Sequence, residues 1–173
     1  MKVDSAVEQA IRERRTHKQF DPDPVPREVL EELLDLARSA PNHKLTQPWR
    51  FRVVGPETLA RLKEVGGPKE APKLDRAPTL VVVSARLTGD PLTDEEDVLA
   101  TAVALYIVML AAHARGYASY WRTPGVLRTP EGRDAVGLEP DEKFVGVIYL
   151  GRPCSDPPRK ERDPLDQCVE YLP

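Results

Sequence analysis

The chain has 173 residues, 40% of them hydrophobic and 31% charged, which is the composition of a folded domain with one core and argues against disorder. A net charge of −3 excludes the strongly basic balance of a non-specific nucleic-acid binder, so we expect no nucleic-acid partner. The sequence opens without an apolar signal core, and its longest uncharged run, residues 98–114, is shorter than the roughly 20 residues of a membrane span. We therefore expect a cytoplasmic protein without a membrane segment.

Apolar periodicity and turn residues divide the first half of the chain into helices and one strand. Asp4 is a candidate helix cap, Pro26 is suited to the first position of a helix, and Pro41 ends that helix. The predicted elements are a helix over about 5–15, a helix from 26 to about 40, a strand over 50–54, a short helix over about 56–65 and a loop over 66–78.

The second half contains the most apolar segments. Thr93 and Glu96 form a capping-box pattern, and Gly116 is a suitable helix stop. The predicted elements are a buried strand over 79–85, a long helix over about 94–115, a short strand over 118–121, a short helix over 130–136 and a buried strand over 144–150. Residues 151–173 are proline-rich and polar, so this segment is either disordered or lies along another surface, and we expect a C-terminal arm that packs on a partner subunit. The only cysteines, Cys154 and Cys168, match neither a zinc pattern nor a disulfide framework, so free thiols and no metal site are expected.

The long helix is apolar on nearly every side between Val98 and Ala112. A helix of this kind must be buried on most of its faces, and a chain of this length has few other elements to cover it. A second copy of the chain is the natural cover, so we predict a homodimer in which this helix lies at the interface.

Three polar clusters are candidate ligand sites, and each also has an ordinary structural interpretation. The first has cations and a hydroxyl suited to a phosphate, or is a solvated basic helix end. The second is a polar loop that could hold a ligand, or an ordinary connection with its tryptophan in the core. The third could line a flat ligand, or is an edge aromatic beside a surface arginine. In the order given, the three clusters are residues 12–18, 39–49 and 120–125.

The order and spacing of these motifs are more specific than any one of them. The motifs are Arg-Arg-Thr at 14–16, Ala-Pro-Asn-His-Lys at 40–44, Gln-Pro-Trp at 47–49, Trp-Arg-Thr-Pro-Gly at 121–125 and Leu-Gly-Arg-Pro at 150–153. In this order they resemble the nitroreductase family over about residues 7–172, in particular its short, single-domain, YdjA-like bacterial branch.

The resemblance implies an α+β fold in one domain, residues 1–173, with a central mixed and mainly antiparallel sheet flanked by helices. It also implies an FMN site on each side of a dimer interface. In this family NAD(P)H is a transient electron donor, the flavin carries the chemistry by ping-pong hydride transfer through its N5 atom, and a nitro compound, a quinone or a related small molecule is the acceptor. A catalytic side chain is therefore not expected.

The resemblance also assigns FMN-binding residues. Arg14, Arg15 and Thr16 match positions that hold the phosphate, the ribityl chain and the polar edge of the ring. The other matches are Ser39 and His43, contributed by the other subunit, and the strand-end residues Trp121, Arg122 and Thr123. One of Arg159, Lys160 and Arg162 could supply a further cation to the phosphate, and the sequence does not choose among them.

Departures from the family pattern leave the substrate open. Thr16 replaces the commoner serine but keeps the hydroxyl, whereas Leu45 stands where larger relatives have a polar residue. The helical insertion that covers the pocket in larger relatives is missing between Ala85 and Thr93, so we expect an open pocket. The alternative to a reductase is an FMN-binding carrier or sensor with little turnover.

Overall fold

The computed structural model describes residues 5–173, and the predicted Asp4 cap lies outside them. The first helix is instead capped by Ser5, whose hydroxyl accepts from the Glu8 N–H. The elements in chain order are α1 (Ala6–Glu13), α2 (Arg27–Ala37), β1 (Trp49–Val53), α3 (Pro56–Leu74), β2 (Thr79–Arg86), α4 (Pro91–Ala114), β3 (Ala118–Arg122), α5 (Pro130–Ala135) and β4 (Glu142–Gly151).

The four strands form one sheet in the order β1-β2-β4-β3, and each neighbouring pair is antiparallel. In the described part of the chain, one isolated parallel bridge, between Thr16 and Ser119, adds to the sheet at its β3 edge. The predicted α+β fold with a mainly antiparallel sheet is therefore confirmed.

Alternation along β2 divides the core into two layers, because successive side chains of a strand point to opposite faces. Val81 and Val83 pack with α2 and α4 on one face. Leu80 and Val82 pack with α3 and α5 on the other. Helices thus cover both faces of the sheet, which explains why β2 is a continuous apolar run.

The largest differences from the sequence predictions are the end of α3 and the start of α4. The predicted loop over 66–78 is wrong, because α3 continues to Leu74 beyond a break at Gly67, whose φ of 63° suits glycine. Helix α4 begins at Pro91, before the predicted capping box, and its cap is Asp90, whose carboxylate accepts from the Thr93 N–H. In both places a proline at the first position of a helical turn supplies the start that periodicity alone did not reveal.

Helix α4 has 24 residues and is long and apolar enough to cross a membrane by length and composition, which differs from the estimate based on residues 98–114 alone. However, 44% of its most apolar stretch is already buried inside this chain. Ala104, Leu105 and Val108 pack between α2 and the sheet. This is the position of a core helix, and the remaining apolar residues form an exposed stripe that includes Leu99 and Val103.

A network of polar side chains connects the three neighbouring strands β1, β2 and β4. Arg52 donates to Glu142 Oε1 at 2.8 Å and to Ser84 Oγ at 3.0 Å, and Ser84 donates to Glu142 Oε2 at 2.8 Å. Burial alone would raise the pKa of the Glu142 carboxyl, but the bonds from Arg52 and Ser84 outweigh burial and hold that pKa below its usual value. The ionised carboxylate therefore stabilises the fold.

Replacing Glu142 with glutamine is expected to lower the free energy of unfolding by about 1–3 kcal/mol at neutral pH, less than for a fully buried pair because Arg52 is partly exposed. Because the folded pKa is depressed, the wild-type advantage is fully present above the ordinary glutamate pKa and shrinks as pH falls through the folded value. Urea denaturation between pH 3 and pH 7 measures both effects.

The matched control is Asp141→Asn, which breaks the exposed Arg86–Asp141 pair nearby. Exposed pairs contribute less than about 1 kcal/mol, so this change is expected to have a small effect. Equal losses in the two variants, or a Glu142→Gln loss that does not shrink in acid, would contradict the role assigned to Glu142.

Candidate functional site

The end of α1 changes direction at Arg14 and places the basic cluster beside the sheet. Arg14 caps the helix through an N–H donated to the Ala10 carbonyl, and its ψ of 128° leads into extended chain. Thr16 then bridges to Ser119 of β3, and the His17 N–H donates to the Ser119 carbonyl at 3.1 Å. Because the helix ends at Glu13 and not at the predicted Arg15, the cations that follow lie along the β3 edge.

The C-terminal arm returns to the same place. The Asp21 N–H donates to the Arg152 carbonyl at 3.0 Å, and the Cys154 thiol donates to the Asp21 carboxylate at 2.9 Å. The arm then passes over the segment that leaves α1, and the two form a partly open cavity of about 930 Å³. This volume is within the range of small-molecule and cofactor pockets.

The lining of the cavity is strongly basic. Among the residues that the structure describes, the lining contains no carboxylate. It contains seven cationic side chains: Arg12, Arg14, Arg15, Lys18, Arg159, Lys160 and Arg162. Cations gathered in one concave site with no opposing acid favour an anionic ligand, because otherwise they repel one another. Arg159, Lys160 and Arg162, the three C-terminal candidates for a phosphate contact, therefore all line the cavity.

Buried polar atoms without partners mark this region. Nε and Nη1 of Arg14, Nδ1 of His17 and Oγ of Ser119 are each buried with no hydrogen-bond partner within the described chain. Leaving a buried donor unpaired costs about 1–3 kcal/mol, more for a charged group. The free N–H groups of Arg14 therefore suit a ligand that presents anionic oxygen acceptors, such as a phosphate.

His17 is near the start of the arm, beside Ser155 and Asp156, and does not line the cavity. Burial lowers the pKa of its imidazole, as do the neighbouring His113 and Arg14, and the Ser155 backbone and Asp156 offset this only in part. The ring is therefore neutral over more of the physiological pH range than a free histidine.

Arg15 and Thr16 also line the cavity, so the structure brings together the three predicted residues of the first cluster. In this structure the Arg15 guanidinium donates to the carbonyl of Arg14 at 2.9 Å and to that of Arg12, at the end of α1. Cations at this end of a helix are favourable, so Arg15 has a stabilising role besides any role in binding.

Ser39 and His43 lie elsewhere. Ser39 is exposed just after α2, and the exposed His43 donates from its Nδ1 to the Glu96 carboxylate on α4 at 2.8 Å. Glu96 and the cavity-lining Tyr106 are ten residues apart on α4, which corresponds to about 15 Å along the helix. Within one chain these two predicted residues are therefore separate from the cavity.

The loop that carries His43 is held by the buried Asp97 of α4. Asn42 and Thr46 donate to Asp97 Oδ1 at 3.1 Å and 2.5 Å. The loop contains three non-glycine residues with positive φ, namely Lys44, Leu45 and Gln47, which indicates a backbone held by its surroundings. Leu45 is 76% exposed and points away from the core of its own chain.

The third predicted group lies near the end of β3 but does not line the cavity. Trp121 is partly exposed, and its indole lies directly over Gly146. A Cβ atom added to Gly146 would come within 2.1 Å of the Trp121 Nε1, so only glycine fits beneath the ring. Arg122 points to the other layer, toward the Tyr149 hydroxyl at 3.5 Å and Glu70 at 3.8 Å. Thr123 accepts from Arg128 at 3.2 Å.

Gln19 and Tyr106 line the cavity and were missed by sequence reasoning, whereas Arg12 and Lys18 lie in the first candidate cluster, residues 12–18, but were not assigned to FMN binding. Lys18 and Gln19 follow Thr16 in the segment held between the Thr16 and Phe20 bridges, Arg12 is on the last turn of α1, and Tyr106 is on α4. The alternation of Arg14, Thr16 and Lys18 in an extended segment is the signal that could have added Lys18. No local signal connects Tyr106 to the cluster.

Known proteins resemble this chain in sequence. The model of the nitroreductase family matches residues 11–67. The Escherichia coli K12 protein named "Putative NAD(P)H nitroreductase YdjA" is 30% identical over 166 residues, which cover 86% of this chain and 88% of that protein.

Solved structures share the fold. A nitroreductase-like family protein from Bacillus cereus superposes with a TM-score of 0.88 at 24% identity and covers 99% of this chain and 98% of that one. A Desulfovibrio desulfuricans protein solved in complex with FMN gives a TM-score of 0.82 at 23% identity, with 98% of both chains covered. Because the 30% identity to YdjA extends over nearly the whole of both chains, this chain belongs to the nitroreductase family and to its short, YdjA-like branch.

Proposed function

We propose that this chain is an FMN-dependent oxidoreductase that uses NAD(P)H to reduce a small electron acceptor such as a nitro compound or a quinone. The observation that carries the proposal is the basic cavity, which is lined by seven cationic side chains including Arg14, whose Nε and Nη1 have no hydrogen-bond partner among the described residues. The relative named as an NAD(P)H nitroreductase and the neighbour solved with FMN support the choice of donor and cofactor.

The residues at the cavity fit the phosphate of FMN. Arg14 offers two free donors, Thr16 offers a hydroxyl, and the arm residues Arg159, Lys160 and Arg162 add positive charge from the opposite side. When bound, FMN would accept a hydride and pass electrons to the acceptor, so the chemistry is the cofactor's. The chain's contribution is to bind the phosphate and orient the flavin.

We propose that the functional unit is a homodimer. Leu99 and Val103 of α4 are 61% and 39% exposed, and Val7 and Ile11 of α1 add to the exposed apolar surface. Apolar surface of this kind usually marks an interface. A second copy would also supply Ser39 and His43, which are distant from the cavity of their own chain.

In this arrangement the last residues of the arm pack on the partner subunit. Leu165, Tyr171 and Leu172 are 69%, 90% and 79% exposed in one chain, which is costly for large apolar side chains. Trp121, Arg122 and Thr123 contribute to the flavin site through the backbone of the β3 end. We assign the protein to the cytoplasm, where NAD(P)H is available.

Steady-state kinetics tests the enzyme proposal. The loop of residues 87–90 between β2 and α4 is short and leaves no room for the helical insertion of larger relatives, so we propose that both ligands use the same open face of the flavin in turn. We therefore expect ping-pong kinetics, with parallel lines in double-reciprocal plots of NAD(P)H against a quinone. Intersecting lines would contradict a shared face, and the absence of turnover with every acceptor tried would favour a carrier or sensor.

A further inference from the structure

We propose that Tyr106 is a positioning residue that holds the Arg14 guanidinium in the orientation needed to bind the phosphate of the flavin. This inference rests on the proposed function and adds a residue on α4 to a site formed by α1 and the arm. Tyr106 lines the same cavity as Arg14, although the two are 92 positions apart in the sequence.

The contact between the two side chains has the geometry of a cation–π interaction. The Arg14 Cζ atom lies 5.8 Å from the centre of the Tyr106 ring, within the approximately 6 Å limit for such pairs. Both residues are half-buried, so the attraction is less screened by water than at an open surface. The ring therefore restrains a side chain that would otherwise sample many rotamers.

The state of the Arg14 nitrogens shows what this restraint is for. Nε and Nη1 are buried without a partner among the described residues, so the protein holds the guanidinium where its own groups do not satisfy it. An aromatic face attracts the cation without using its N–H groups. Tyr106 can thus fix the guanidinium while leaving the donors free for a phosphate, which a carboxylate in the same place could not do.

The helix beneath the ring is rigid. Leu105 and Val108 of α4 are fully buried next to Tyr106 and pack in the core. A ring carried by such a helix is fixed relative to the sheet, whereas Arg14 is at the end of a short helix with no buried residue of its own. The orientation of Arg14 is therefore imposed from α4 and not from α1.

The test compares FMN with riboflavin, which lacks the phosphate. Apoprotein is titrated with each flavin by fluorescence quenching, and the ratio of the riboflavin Kd to the FMN Kd measures phosphate recognition. For Tyr106→Leu we expect FMN binding to weaken by about 3- to 30-fold with little change for riboflavin, so the ratio falls by that factor. Tyr106→Phe keeps the aromatic ring, so this variant is expected to have the same ratio as the wild-type protein.

A second variant covers the case in which Tyr106→Leu does not fold. Tyr106→Met has a flexible side chain that fills space without a ring face, and it is expected to lower the ratio in the same way. In the Arg14→Ala background, neither Tyr106 change is expected to alter the ratio further, because the cation that the ring holds is gone.

The possible outcomes separate this proposal from the proposed function. Equal weakening of FMN and riboflavin, an unchanged ratio in Tyr106→Leu and Tyr106→Met, or a ratio that falls equally in Tyr106→Phe would each overturn the role of the ring. A wild-type protein that binds the two flavins equally would overturn the phosphate site, and with it the role of Tyr106. A fallen ratio in the ring-less variants only is the result that supports the proposal.

Discussion

Replacing Arg14 with alanine is expected to weaken FMN binding by about one to two decades. A charge-assisted contact to a phosphate is worth on the order of 1.5–3 kcal/mol, and Arg14 has two buried N–H groups free for it. The loss should be confined to the phosphate, so riboflavin binding should change little. Because the cavity is partly open to solvent, wild-type affinity for FMN should also fall as salt is added.

Arg38→Ala is the control for a general loss of positive charge. Arg38 pairs with Asp35 at the exposed end of α2 and does not line the cavity. Its removal should leave the FMN dissociation constant unchanged. If Arg14→Ala behaves like Arg38→Ala, the cluster after α1 is a solvated basic helix end, which is the alternative that the sequence left open.

Placing charge on the exposed face of α4 is expected to separate the dimer. In a two-fold interface, Leu99 and Val103 are each buried twice, and full burial of a large apolar side chain is worth about 1.5–3 kcal/mol. Even half of the combined value, roughly 3–6 kcal/mol, raises the dissociation constant by about two to four decades. The Leu99→Glu/Val103→Glu protein should therefore be monomeric by light scattering at low micromolar concentration.

The monomeric variant should also lose flavin, because we assign Ser39 and His43 to the site of the partner subunit. The control is Val65→Glu on α3, where a valine is 37% exposed but outside the α4 face. This variant should stay dimeric and keep its flavin. A stable wild-type monomer that retains FMN would contradict both the interface and the shared site.

Local patterns in the sequence were enough to predict most of the fold. The capping-box pattern, the long apolar run and the stop at Gly116 indicated the long helix, and continuous apolar runs indicated β2 and β4, because a strand buried on both faces has no polar alternation. The second half of α3 could not be found in this way. Its start at Pro68 follows a glycine break and depends on contacts with α5, which are distant in sequence.

The candidate site was predictable only in part. Arg14, Arg15 and Thr16 are consecutive, so one motif places all three at the cavity. The direction of Arg122 depends on Glu70, which belongs to the half of α3 that looked like a loop. The contact of Tyr106 with Arg14 joins two distant segments, and no spacing rule along the chain reveals a contact of that kind.

An absorbance spectrum of the purified protein, followed by anaerobic titration with NADH and NADPH, tests the central claim most directly. We predict a yellow protein that releases FMN on heating and whose flavin absorbance is bleached promptly by one of the two donors. Release of FAD, or a colourless protein that does not take up added FMN, would contradict the cofactor assignment. A bound flavin that is bleached by dithionite but by neither donor would contradict the enzyme and favour a carrier or sensor.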